Sequence, residues 1–139
     1  MKLLKTVLIC ASLALGMPLY AQDAKDVAQA RAAAEHWLAL ADKGQHGVAW
    51  SEAAESLQKA VGKPEWEQAL QSARTQLGGL KRRTLKSATY TKKLPGAPEG
   101  EYVVIVYSSE FAGKADAVET VTPARAGDGS WKVSGYFVR

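Results

Sequence analysis

The feature that most constrains this chain is a change of period at Gly78-Gly79. Before it, apolar residues recur every three or four positions; after it, they alternate. The first spacing lines one side of a helix and the second lines one side of a strand. A chain with all its helical pattern first and all its strand pattern second folds as α+β, with helices on one face of an antiparallel sheet. The expectation is three helices followed by a four-stranded antiparallel, bent sheet.

The first helix covers residues 22–42, with Val27, Ala30, Ala33, Ala34, Trp37, Leu38 and Ala41 on one side. The stretch "DKGQHG" ends it, with Gly44 as the stop. A second helix over 48–61 carries Trp50, Ala53, Ala54, Leu57 and Val61 as its stripe. Pro64 opens a third, since a proline at the first helical position loses no hydrogen bond. Its stripe reads Trp66, Ala69, Leu70, Ala73 and Leu77. Strands follow at about 81–93, 100–111, 115–124 and 130–138, and Gly127-Asp128-Gly129 is the strongest hairpin signal. In the last strand Trp131 and Val133 share one parity and Tyr136 and Val138 the other. Gly135 between them predicts a bulge that returns Tyr136 to the Trp131 face.

The chain has 139 residues. Residues 1–21, "MKLLKTVLICASLALGMPLYA", have the three parts of a secretory leader. Lys2 and Lys5 precede an apolar run from Val7 to Leu15, and Leu19-Tyr20-Ala21 suits cleavage. The run falls short of the ~20 residues that span a bilayer. The reading is a cleaved signal peptide and a single periplasmic domain at 22–139, with no stable membrane anchor after cleavage. Cys10, the one cysteine, lies within the leader. The domain therefore has neither disulfide nor thiol chemistry, and a packed core must stabilise it.

The 18 Lys and Arg exceed the 14 Asp and Glu by four. Losing Lys2 and Lys5 with the leader lowers that excess to two, which is mild for a nucleic-acid binder. The basic run "LKRRTLKSATYTKKL" places Arg83 on one parity of its strand and Arg82, Lys86 and Lys92 on the other. Such a run reads as a solvated strand whose lysines discourage edge pairing. No nucleic-acid partner is expected.

Three stretches, "AAAEHWLALADKGQHGVAWSEAAESLQKAV", "LKSATYTKKLPGAPEGEYVVIVYSSEF" and the closing "AVETVTP" with "WKVSGYFVR", resemble the DUF4019 family of small exported bacterial proteins. The likeness covers nearly all of the domain, and "LPGAPEGEYVVI" and "WKVSGY" are its most specific parts. More coarsely, the chain is similar to NTF2-like/cystatin-like folds, which wrap a bent sheet around a long first helix. That resemblance implies a cone with room for a pocket, and in enzymatic members acids and histidines inside it. It brings no catalytic motif with it.

Among titratable residues, Glu119 and His46 are the candidates for proton transfer. Glu119 lies between Val118 and Thr120 on a strand, and His46 sits in the "GQHG" loop. The alternative for Glu119 is an edge-strand carboxylate paired with a cross-strand cation. His36 falls on the polar side of its helix. The two histidines lack a third ligand at metal spacing, so neither a metal nor a cofactor is expected. Tyr90, Tyr107 and Tyr136 are the hydroxyls expected near a cavity. The functional expectation is a non-catalytic module that holds a small apolar ligand or a protein partner. A lyase or isomerase, by fold analogy alone, and a homodimer packed through its sheets are the alternatives.

Overall fold

The computed structural model describes residues 19–139. The expected leader therefore lies largely outside the described residues. Four helices precede four strands. They are α1 (Leu19–Asp42), α2 (His46–Ser51), α3 (Glu55–Ala60) and α4 (Lys63–Leu77), then β1 (Leu80–Thr91), β2 (Tyr102–Phe111), β3 (Lys114–Arg125) and β4 (Trp131–Val138). The strands form one antiparallel meander in the order β1-β2-β3-β4. The α+β class is as the change of period requires.

The expected stripe of α1 is the one that packs on the sheet. Ala30, Ala34, Trp37, Leu38 and Ala41 are buried with Val103, Ile105, Tyr107, Val121 and Val133. Its alanines let the helix lie close over the strands. Arginine–carboxylate pairs tie both ends. Asp26 meets Arg125 of β3 near the start, and Asp42 meets Arg74 and Arg83 at the end.

The expected 48–61 helix is two helices. At Ala54 the backbone turns extended, and its N–H donates to the Val133 carbonyl of β4 at 2.8 Å. The sheet edge thus takes a hydrogen bond that a continuous helix would have kept. The Gln58 side-chain amide donates to the carbonyls of Trp50 and Ser51, at 3.0 Å each, and so closes the end of α2. In α4 the inward positions are Trp66, Leu70, Arg74 and Leu77, whereas Ala69 and Ala73 are exposed. An arginine takes part of the stripe that the spacing assigned to alanine.

Two bulges re-aim side chains. In β4, Thr122 pairs with Gly135 and Pro123 with Val133, so Ser134 is the extra residue. As expected beside Gly135, the bulge turns Tyr136 to the Trp131 face. Pro123 sits opposite it, where a ladder already broken tolerates a residue without an N–H. In β1, Leu85 pairs with Tyr107 and Ser87 with Val106, which leaves Lys86 unpaired. The parity therefore switches at Lys86: Arg83, Leu85, Ala88 and Tyr90 face the helices. Plain alternation puts Arg83 and Tyr90 on opposite faces.

The hairpin between β2 and β3 docks on the end of α4. The Gly113 N–H donates to the Leu77 carbonyl at 2.7 Å and the Ala112 N–H to the Gly79 carbonyl at 2.8 Å. Gly78 has a φ of +75°, a turn conformation that residues with a side chain rarely adopt.

Candidate functional site

Between α1, α4 and all four strands lies a polar cluster, buried at its centre and open to solvent at Asp42. At its centre Glu119 of β3 is 0% exposed. One carboxylate oxygen accepts from Arg83 Nε at 2.7 Å and from Ser109 Oγ at 2.5 Å. The other accepts from Arg83 Nη2 at 3.1 Å and from the Tyr136 hydroxyl. A carboxylate has about four lone-pair sites, and all are used. Arg74 stands 3.6 Å from the second oxygen and donates to the Tyr136 hydroxyl at 3.1 Å. Asp42 completes the set, accepting from Arg74 at 2.7 Å and from Arg83 at 2.8 and 3.0 Å.

Two guanidiniums thus balance two carboxylates. Burial pushes the Glu119 carboxyl up, but the bonds from Arg83, Ser109 and Tyr136 outweigh it and hold the group below its ordinary value. Burial likewise acts against Asp42, and Arg83 and Arg74 hold it low. Burial and then the Glu119 charge push the Tyr136 phenol up. Glu119 does not stand at a sheet edge: β3 is an interior strand, and its arginine reaches across from β1, beyond β2.

The other expected site residues disperse around this cluster. His46 is buried at the start of α2, not in a loop, and its Nδ1 has no partner. Burial and the nearby Arg74 lower its pKa, and Glu67 opposes them. Tyr107 is buried with an unpartnered hydroxyl. Tyr90 donates to Glu101 at 2.7 Å, and burial together with that carboxylate pushes its phenol up to about 12. It lines a surface cavity with Asp26, Glu101 and Arg125. Tyr136 packs on Trp37, ring centres 5.1 Å apart, and Trp37 on Trp66 at 6.0 Å. These rings fill the space where a hollow was expected. Among the described residues no group of His, Cys, Asp or Glu is arranged to hold a metal ion.

A more open site lies where α1, the α2–α3 junction and the start of β4 meet. Ala33, Trp37, Trp131 and Val133 line a slot of about 320 Å³. Ser51, Ser130 and Lys132 also border it, with His36 Nε2 and Glu52 2.7 Å apart. The spacing assigned His36 to the polar side of α1, and it is exposed there. What the sequence alone did not indicate is its partner, Glu52, which caps the end of α2 and meets His36 only through the packing of α2 on α1. The indole N–H of Trp131 is buried and unpartnered, and the Arg125 guanidinium lies over that ring at 4.9 Å.

A search of the curated proteins found no match, and a search of the solved structures found none. A family model described as a protein of unknown function, DUF4019, matches residues 33–136. That span runs from the middle of α1 to Tyr136 and takes in both the polar cluster and the slot. The chain belongs to the DUF4019 family.

Proposed function

We propose that this chain is an exported, non-catalytic binding module that holds a small, largely apolar ligand in the slot between α1, the α2–α3 junction and β4. One contrast carries the reading. The hydrogen-bonding capacity of the buried acid Glu119 is spent on Arg83, Ser109 and Tyr136. Trp37, Trp131 and Val133, each less than a tenth exposed, form the floor of the slot. That slot, at about 320 Å³, matches the lower end of the size range of small-molecule sites. His36, Glu52 and Lys132 at its edge would orient the polar end of a ligand.

A lyase or isomerase would need Glu119 or His46 to carry a proton. For Glu119, itself fully buried, that means giving up charge-assisted bonds to Arg83, which is strongly unfavourable. Export rests on the leader-like residues 1–21, and the same experiment examines it.

Native mass spectrometry of the chain purified from a bacterial periplasm tests the proposal. The expected spectrum has a chain that begins at Gln22 and a second peak carrying a non-covalent small-molecule mass. Ala33→Phe, which fills the slot, should lower the bound fraction at least about tenfold. A co-purifying protein would replace the small ligand with a partner whose apolar side chain enters the slot. No bound species on the wild type, or equal binding by Ala33→Phe, would overturn the slot as the site.

A further inference from the structure

Helix α1 lies across one face of the sheet, and the opposite face, overlapped at one end by α3 and the β1–β2 connection where Tyr102 is buried, carries a regular set of rows. Ser87, Val106, Thr120 and Phe137 pair across the four strands as one row. The next row holds Thr89, Val104, Thr122 and Gly135. On one side of these lie Thr84, Ser108 and Val118, and on the other Thr91, Tyr102, Ala124 and Lys132. The charged side chains on this face stand at its margins: exposed Lys86 at the β1 bulge, Lys132 on β4, and Arg139, which pairs with Val118. A sheet face left to water ordinarily alternates polar-out with many charges. Here β-branched residues and Phe137, 62% exposed, take those positions.

The same face has a knob and a recess. Phe137 is the knob. One row away, Thr122 and Gly135 form the floor of a groove of about 480 Å³. Its walls are Leu57 and Ala60 of α3 and Leu94, Ala97 and Pro98 of the β1–β2 connection. Knob and recess side by side on one surface are what a two-fold symmetric contact requires, because each copy must offer both halves. Four strands about 4.8 Å apart and roughly 30 Å long give about 600 Å² per copy before the groove walls add to it. A standard interface buries about 800 Å² per partner, so the face is of the right order.

We infer that the occupant of this face is a second copy of the chain, packed sheet to sheet with Phe137 of each copy in the groove of the other. The two central rows are uncharged, and Lys86, Lys132 and Arg139 stand at the margins of the face, where a copy of it need not set them against each other. This inference does not rest on the ligand slot, which lies at the β4 edge on the helix side, so either can fail alone.

Light scattering coupled to size exclusion, run on the purified chain over a range of concentrations, tests it. The wild type should elute with a dimer's mass. Phe137→Lys should weaken self-association about 30-fold or more, as expected for an aromatic anchor seated in a partner's groove. Thr89→Lys, at an exposed position in the neighbouring row, should do the same. Both variants should keep the wild-type circular dichroism and ligand mass. A monomeric wild type at its highest soluble concentration would overturn the inference. So would a dimer that survives both lysines, since it would then use another surface.

Discussion

At the scale of single residues, the cluster around Glu119 decides how this domain responds to acid. Glu119 and Asp42 are held below their ordinary values of 4.5 and 3.8. Their contribution is therefore complete above those values and is lost as pH falls toward the folded-state values. His46 also acts on the acid side, at higher pH. Its pKa is lowered from 6.5, so the fold favours the neutral ring and loses stability as pH drops below 6.5. His46→Gln should abolish that first decline in the urea midpoint while leaving the second, at carboxylate pH, in place. An unchanged profile between pH 6.5 and 5 would show that His46 is not the group responsible. Glu119 stood out in the sequence as the acid to test, but its partners did not. Arg83 reaches it because Lys86 bulges, and nothing in "LKRRTLKSATYTKKL" marks which residue will be the extra one.

At the scale of elements, the helix–strand division was legible because periodicity survives tertiary context over ten or more residues. Boundaries fared less well where tertiary hydrogen bonds competed with local preference. The stretch 52–54, Glu-Ala-Ala, has every propensity to be helical, yet the Ala54 N–H is taken by β4. Gly135 did announce its bulge, since a glycine inside a strand pattern usually marks one. The joint between α4 and the β2–β3 hairpin gives an element-scale prediction. A Cβ on Gly113 would lie 2.6 Å from the Gln76 carbonyl oxygen and 2.9 Å from that of Leu77. Both are backbone atoms, so the hairpin itself must shift and weaken the Gly113–Leu77 hydrogen bond. Gly113→Ala should cost about 2 kcal/mol. Gly127→Ala, at an exposed turn with nothing within 4 Å of the added atom, serves as the control. Equal midpoints for the two variants in urea would show that the joint does not limit stability.

At the scale of the molecule, one cluster joins α1, α4 and every strand. Asp42 lies on α1, Arg74 on α4, Arg83 on β1, Ser109 on β2, Glu119 on β3 and Tyr136 on β4. The sequence suggested an apolar hollow, but Trp37, Trp66 and Tyr136 close that space, and buried polar groups tie its walls together. Residues tens of positions apart build this arrangement, which is why a pattern read locally does not contain it. Chemistry at Glu119 would have to dismantle the fold's own cross-tie. Urea unfolding of the wild type and Glu119→Gln across pH tests the structural role of the cluster most directly. The account predicts a loss of about 3–5 kcal/mol at pH 7 for the variant and a shallower decline below pH 4.5. A variant with the wild-type midpoint at pH 7 and the same acid limb would contradict it.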